Sequence, residues 1–111
     1  MVKVCVPLAI GFEDIEAVTL IDVMRRGGIE VIVAGVGGSV ITSAHNLKIE
    51  TDTTIDKVNS DDLDLIVLPG GLPGATNLAE SEEVQTLLKE MDSKGKYVGA
   101  ICAAPIALQK A

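Results

Sequence analysis

The sequence is nearly devoid of aromatic residues, with one Phe, one Tyr and no Trp among 111 residues. Apolar residues still make up 48% of the chain, which excludes a disordered segment and suffices for one compact core. That core must consist of Val, Ile, Leu and Ala. Such side chains dominate the buried parallel strands of α/β proteins.

Basic residues are also scarce, since 9 Lys and Arg stand against 16 Asp and Glu and give a formal net charge of −7. Nucleic acids and anionic membranes bind basic surfaces, so the composition argues against both as partners. No apolar run approaches the roughly 18–20 residues of a membrane-spanning helix. The N-terminus lacks the basic and apolar regions of a secretory signal, and the sequence therefore predicts a cytoplasmic protein.

Cysteine is also scarce, and the chain holds only Cys5 and Cys102. Two distant cysteines provide neither a disulfide framework nor a metal cluster. Cys5 lies within an apolar strand pattern, which favours a small buried side chain with no chemical role. Cys102 instead falls between two different predicted elements.

Apolar strand patterns alternate with helical ones along the chain. The predicted strands are Val2–Ala9, Ile29–Ala34, Leu63–Leu68 and Tyr97–Ile101, all buried, and the predicted helices are Glu13–Arg26, Ser81–Met91 with Ser81 as N-cap, and a last one from Ala103 onward. Residues 35–54 predict a short hairpin or edge excursion, and residues 56–62 a polar connection. This order predicts a doubly wound, mostly parallel α/β sheet in a single domain over residues 1–111.

Three informative segments follow predicted strands, namely 11–16, 69–74 and Cys102. Ligands of open α/β sheets bind at the carboxyl ends of strands, so these segments are expected to form one site. A cysteine between a strand and a helix is typical of the sharp turn that presents nucleophiles in hydrolases. The unpaired N–H groups and dipole of the following helix favour the reactive thiolate. The alternative is an inert cysteine that only packs.

Glu13, Asp14 and Glu16 open the first predicted helix. One interpretation is charge compensation at the helix N-terminus. The other is a carboxyl that faces Cys102, because helical spacing places positions 13 and 16 on one side and turns 14 away. Glu16 lies deeper in the helix, so it is expected to be buried, protonated and able to shuttle a proton. His45, the only histidine, lies in a polar loop, and we expect an ordinary surface residue rather than a partner of Cys102.

The turn Pro69-Gly70-Gly71 lacks the Lys-Ser/Thr ending of a phosphate-binding loop. One interpretation is a tight turn that needs a positive φ. The alternative is that its backbone N–H groups join that of Ala103 in an oxyanion hole beside Cys102.

Four segments together resemble the ThiJ/PfpI superfamily, most closely its branch of Parkinsonism-associated deglycases (the DJ-one branch) and bacterial relatives. They are residues 11–17 (GFEDIEA), 22–29 (DVMRRGGI), 67–71 (VLPGG) and 100–105 (AICAAP). They occur in the family's order and span the whole chain. The resemblance implies a flavodoxin-like, three-layer α/β sandwich that forms homodimers.

By motif match, the resemblance implies that Cys102 is the reactive, oxidisable cysteine and Glu16 its protonated partner carboxyl. It also implies that Gly71, Leu72 and Ala103 supply backbone N–H groups around the site, and that no metal or other cofactor takes part. Family members are glyoxalases that turn methylglyoxal, a small 2-oxoaldehyde, into lactate, and they are also described as protein deglycases. The implied function is therefore a cofactor-free glyoxalase or deglycase, with an oxidative-stress sensor or chaperone as the alternative.

Two departures from the family pattern matter. Ala103-Ala104-Pro105 follows Cys102 where the peptidase branches tend to carry His or Gly, so peptidase activity is not expected. The family domain is longer than this chain, and the last predicted helix ends without a stop signal. We therefore expect a domain that is incomplete at its C-terminus, with a complementary segment on a second polypeptide. Arg25 and Arg26 end the first helix, which is a candidate dimer interface.

Overall fold

The computed structural model describes all residues from 1 to 111 and contains seven strands and four helices. The strands are β1 (Lys3–Leu8), β2 (Glu30–Gly35), β3 (Val40–Thr42), β4 (Lys48–Glu50), β5 (Thr53–Thr54), β6 (Leu65–Leu68) and β7 (Tyr97–Ala100). The helices are α1 (Asp14–Arg26), α2 (Gly74–Glu80), α3 (Glu82–Ser93) and α4 (Pro105–Lys110), with 3-10 turns at Ile55–Lys57 and Ser60–Asp62. None of these helices combines the length and the apolar character that crossing a membrane requires.

Five strands form one parallel sheet in the order β5-β2-β1-β6-β7. The first strand lies at its centre, where Val4 is level with Val31 of β2 on one side and with Leu65 of β6 on the other. Strands β3 and β4 form a separate antiparallel hairpin. The predicted flavodoxin-like, mostly parallel α/β fold is confirmed.

The sheet is covered on both faces, because successive side chains of a strand point to opposite sides. Val4, Val6 and Leu8 of β1 belong to one buried cluster, together with Ala17 of α1. Cys5 belongs to a second cluster, which includes residues of α2, α3 and α4. The result is a three-layer sandwich of helix, sheet and helices.

The segment 35–54 contains the predicted hairpin and one strand that the sequence did not indicate. Strands β3 and β4 pair from Val40–Glu50 to Thr42–Lys48. The chain then returns to the main sheet as β5, where Thr53 is level with Ala34 of β2. Two residues are too few to produce a recognisable periodicity, which explains why β5 escaped prediction.

Helix α2 is not among the predicted elements, since the sequence indicates a turn over residues 69–74 and a next helix only from Ser81. The turn exists, but it passes into α2 at Gly74, and α3 follows after one residue. That residue is Ser81, whose Oγ accepts a hydrogen bond from the Val84 N–H at 3.3 Å. The predicted N-cap at Ser81 is therefore confirmed.

Two expectations for the end of the chain are wrong. Strand β7 is not buried, because it pairs only with β6 and forms an edge of the sheet, and Tyr97 is 76% exposed. The last helix begins at Pro105 rather than at Ala103. Proline is favoured at the first position of a helix, where its missing N–H costs nothing, so residues 102–104 form a turn instead.

Candidate functional site

Cys102 lies on a strained turn between β7 and α4. Its φ is +59°, in the left-handed region, and Asn46 is the only other non-glycine residue with a positive φ. For a residue that carries a side chain, this conformation costs about 1–3 kcal/mol and concentrates at functional positions. The thiol is free and exposed at the surface. The exposure of the thiol differs from the buried position expected of a residue that only packs.

Gly70 brings the candidate site together at the carboxyl end of β6. A Cβ atom at this position would lie 2.5 Å from Glu16 Oε1, 2.8 Å from Cys102 Cβ and 2.9 Å from the Ile101 carbonyl oxygen. All three contacts are shorter than a carbon atom tolerates, so only glycine fits here. Glu16 and Cys102 thus approach the same glycine from α1 and from the turn after β7.

The Glu16 carboxylate is fixed by the backbone of Gly70. Oε1 accepts a hydrogen bond from the Gly70 N–H at 2.9 Å, and Oε2 has no partner within the chain. Glu16 is half-buried rather than buried as expected, because the carboxyl ends of the strands are open to solvent at this point. Its second oxygen is therefore available to a neighbouring group or a bound molecule.

Backbone N–H groups without acceptors surround this position. The N–H groups of Gly71, Leu72, Cys102 and Ala103 donate no hydrogen bond within the chain. They belong to the two turns that meet at Gly70, and none is part of a helix, so the expected contribution of a helix N-terminus at Cys102 is replaced by turn amides. Such unpaired donors can stabilise an oxyanion that forms between them.

Asp14 turns away from Cys102, as the helical spacing predicted, and binds the hairpin turn between β3 and β4. Its Oδ2 accepts a hydrogen bond from Ser43 Oγ at 2.5 Å, and its Oδ1 lies 2.9 Å from His45 Nδ1. The bond from Ser43, followed by that from His45, lowers the pKa of Asp14. The same contact with Asp14, together with the charge of Glu13, raises the pKa of His45.

His45 is exposed, as expected, but it is not an isolated surface residue. Its ring lies 3.9 Å from Glu13 Oε1 as well as against Asp14. No sequence signal joins a loop histidine to a helix 31 residues earlier, and only the packing of the hairpin on α1 reveals the pair. Glu13, Asp14 and His45 are also the one group of side chains whose donor atoms lie close enough together to hold a metal ion.

Cys5 is a free thiol like Cys102, but it is buried whereas Cys102 is exposed. It is fully buried in β1, and burial raises the pKa of its thiol to about 12. A thiol with such a pKa supplies almost no thiolate near neutral pH. The expectation of a small, inert core residue is confirmed for Cys5.

Comparison with known proteins agrees with the resemblance seen in the motifs. The chain is 44% identical to protein dj-1beta of Drosophila melanogaster over 104 residues, which cover 93% of this chain and 56% of that protein. It is 38% identical to the glutathione-independent glyoxalase DJR-1.2 of Caenorhabditis elegans over 96 residues, 86% of this chain and 51% of that protein. The structure of oxidized DJ-1 from Toxoplasma gondii superposes with a TM-score of 0.94 at 39% identity and covers 98% of this chain and 60% of that one.

The chain thus spans little more than half the length of these relatives, and 24% of the longer DJ-1 homolog B of Arabidopsis thaliana. A model of the DJ-1/PfpI family matches residues 2–111, which is nearly the whole sequence. The fold, the motifs and this match agree with one another. The chain belongs to the DJ-1/PfpI family.

Proposed function

We propose that this chain carries the catalytic centre of a cofactor-free, cysteine-dependent glyoxalase or deglycase that acts on small 2-oxoaldehydes or their protein adducts. The observation that supports this most strongly is the meeting at Gly70 of the exposed thiol of Cys102 and the carboxylate of Glu16. The Caenorhabditis elegans relative carries the name of a glyoxalase, which favours the same substrate class. Because the chain covers about half of these relatives, the activity is a proposal for the assembled protein.

The first step is nucleophilic attack on the aldehyde. The Cys102 thiolate forms a C–S bond to the aldehyde carbon, and the carbonyl electron pair moves to oxygen. The N–H groups of Gly71 and Ala103, which have no acceptor in the chain, donate to this oxygen, with Leu72 as a third donor. Protonation of the oxygen completes a hemithioacetal.

Glu16 then moves protons between carbon and oxygen. Its carboxylate takes the proton from the former aldehyde carbon and returns one to the neighbouring ketone carbon. The proton of the hemithioacetal hydroxyl passes to the ketone oxygen, so the hydroxyl becomes a carbonyl and the ketone becomes a hydroxyl. The product is a thioester of a 2-hydroxy acid on Cys102. Water hydrolyses this thioester, which releases the acid and restores the thiol, so the net reaction adds one water molecule to the 2-oxoaldehyde.

The test of this proposal is lactate formation from methylglyoxal by the assembled protein and by three variants of this chain in the same assembly. We expect Cys102→Ser to abolish turnover and Glu16→Gln to reduce it by about 10²-fold or more, as the loss of a general acid–base group does. Cys5→Ser is the matched control and should retain activity. Undiminished lactate formation by Cys102→Ser would contradict the proposal.

The alternative proposal is an oxidative-stress sensor or chaperone-like protein in which Cys102 is oxidised to sulfinic acid. Two molecules of peroxide supply the two oxygen atoms and leave as water. The second oxygen of Glu16 has no partner within the chain, and we expect it to bond with the product. The Toxoplasma gondii relative was described in an oxidized form. A stable gain of about 32 Da confined to Cys102, in a chain without turnover, favours this alternative.

We further propose that additional chain covers the free edge of β7. Tyr97, Val98, Ile101 and Ile106 are exposed there, beside a groove of about 240 Å³ lined by Leu88, Val98, Leu108 and Ala111 among others. An uncovered apolar edge of this kind invites pairing with another strand. The relatives, being nearly twice as long, contain sequence that could supply it, and a C-terminal segment on a second polypeptide is the partner proposed. Intact mass of the purified protein under denaturing conditions tests this, since a second polypeptide supports the proposal and a single species of 11.5 kDa opposes it.

A homodimer through α1 completes the proposal. Ile15 is 75% exposed and Val18 46%, and Leu47 of the hairpin turn is 54% exposed, so an apolar surface adjoins the helix that Arg25 and Arg26 end. Both cysteines are free, which fits a reducing, cytoplasmic location. The dimer is tested by light scattering after gel filtration, with Ile15→Lys expected to produce monomers.

A further inference from the structure

We propose that Glu13, Asp14 and His45 form a binding site for a divalent transition-metal ion of the Zn²⁺ class. The three side chains come from two separate elements, the beginning of α1 and the turn between β3 and β4. The Asp14 carboxylate faces the hairpin turn, and the side chain that bonds to Gly70 is that of Glu16. The proposed metal ligands therefore include neither Cys102 nor Glu16, although the Glu13 N–H donates to the Gly70 carbonyl at 2.9 Å.

The donor atoms are close enough for one ion to bind all three. His45 Nδ1 lies 2.9 Å from Asp14 Oδ1 and 3.9 Å from Glu13 Oε1, and all three atoms lie within 4.8 Å of one another. The donors of a tetrahedral zinc site are about 3.3 Å apart, given bonds of about 2.0–2.1 Å. The Glu13 and His45 side chains both reach solvent, so they are free to rotate toward this spacing when an ion binds.

The donor set selects the class of ion. One imidazole and two carboxylates suit zinc and its neighbours in the transition series, whereas magnesium and calcium favour sites made of oxygen alone. Three protein ligands leave a fourth position for water. When the ion binds, His45 Nδ1 releases its proton to solvent and donates its electron pair to the metal.

The surroundings of the three residues favour a cation. The two carboxylates form ion pairs only with His45, and no Lys or Arg side chain neutralises them. The partial positive charge of about +0.5 at the start of α1 is outweighed by two full negative charges. The chain as a whole carries a net charge of −7, which also attracts cations.

Asp14 is already held in position for this role by a residue outside the donor set. Ser43 Oγ donates to its Oδ2, which leaves Oδ1 directed toward His45. A hydrogen bond of this kind to a ligand carboxylate fixes its orientation and strengthens metal binding. The competing explanation is a clamp that uses the same contacts only to fasten the hairpin to α1, and it predicts no saturable metal binding.

The test is calorimetric titration of the 111-residue chain with ZnCl₂ at pH 7.5, in a Cys102→Ser background that removes the competing thiol. We expect one ion per chain, and binding at least about tenfold weaker in each of Glu13→Gln and His45→Gln. Glu83→Gln is the matched control, because Glu83 is also an acid at the beginning of a helix, in the first turn of α3, whereas Glu13 is the N-cap of α1. Asp14→Asn is also measured. The deciding variants are those of Glu13 and His45, whose side chains reach solvent more than that of Asp14. Circular dichroism verifies that every variant is folded.

Cobalt provides a second, spectroscopic measurement. Co²⁺ bound to the Cys102→Ser chain should show visible bands that are weakened in Glu13→Gln and His45→Gln, and no charge-transfer band from a thiolate, because the proposed ligands are nitrogen and oxygen. The proposal is overturned by the absence of saturable Zn²⁺ binding, by equal affinity in the Glu13 and His45 variants, by a loss confined to His45→Gln, or by equal weakening in Glu83→Gln.

Discussion

Glu16 and Gly70 are joined by a hydrogen bond although 54 residues separate them in the sequence. The Gly70 N–H donates to Glu16 Oε1 at 2.9 Å, and a Cβ on Gly70 would lie 2.5 Å from the same oxygen and 2.8 Å from Cys102 Cβ. Glu16 and Cys102 can both lie this close to residue 70 because glycine has no Cβ atom.

Gly70→Ala should disrupt the site more than it disrupts the fold. The added methyl group must displace Glu16, Cys102 or the Ile101 carbonyl, and overpacking of this kind costs about 1–3 kcal/mol. We expect the free energy of unfolding, measured by urea denaturation, to fall by this amount. We also expect a change in the rate at which Cys102 is alkylated. Gly38→Ala is the control, because a Cβ there has no neighbour within 4 Å. Equal stability of the two variants would refute this account of Gly70.

The two cysteines should differ sharply in reactivity. Cys102 is exposed, whereas Cys5 is fully buried with a pKa raised to about 12. Iodoacetamide at about pH 8 should modify Cys102 alone, because Cys5 offers neither access nor thiolate. Peptide mass mapping checks the result, and denaturant should expose Cys5 to the reagent. Labelling of Cys5 in the folded chain would count against the buried position of β1.

The titration of His45 should report its contact with Asp14. Because His45 is the only histidine, its ring protons give a single set of NMR signals. We expect a midpoint above the ordinary pKa of about 6.5, since Asp14 and Glu13 favour the protonated ring. In Asp14→Asn, measured with a chelator present, the midpoint should move back toward the ordinary value.

The same contact predicts how stability changes with pH. A group whose pKa is raised by folding stabilises the protein fully below its ordinary pKa, and the contribution disappears as the pH rises through the raised value. The stability difference between wild type and His45→Gln should therefore narrow as the pH rises above about 6.5. A difference that widens with pH would contradict the direction of the shift.

Ser81 should contribute to stability as the N-cap of α3. Its Oγ accepts from the Val84 N–H, one of the helix donors that lack an intrahelical partner. We expect Ser81→Ala to lower the free energy of unfolding by about 1 kcal/mol. Ser93→Ala serves as the control, because Ser93 bonds only within the last turn of the helix and should change stability by less than about 0.5 kcal/mol. Thermal unfolding followed by circular dichroism compares the two.

The sequence predicted the elements that depend only on residues close together in the chain. The long apolar strands, helix α1 and the Ser81 cap all follow from side chains within one or two turns of the residue concerned. The motif match selected Glu16 rather than Glu13 as the carboxyl near Cys102, and the Glu16 side chain and Cys102 both approach Gly70. Whether these residues perform the proposed chemistry is left to the variants described above.

Features that depend on distant parts of the chain could not be predicted in this way. Strand β7 is exposed because only β6 pairs with it. The apolar sequence of β7 does not indicate that the strand lies at an edge of the sheet. The pair of Asp14 and His45 exists because a hairpin folds back over the start of α1. Helix α2 is short and begins at a glycine, so a turn was the more natural expectation from its residues alone.

The three segments that meet at Gly70 are made at different times, since a ribosome produces the chain from its first residue to its last. Glu16 and Gly70 are both synthesised before Cys102, and strand β7, which pairs with β6, directly precedes the left-handed turn at Cys102. The approach of Cys102 to Gly70 is thus a property of the finished sheet, which no partial chain that ends before β7 can have.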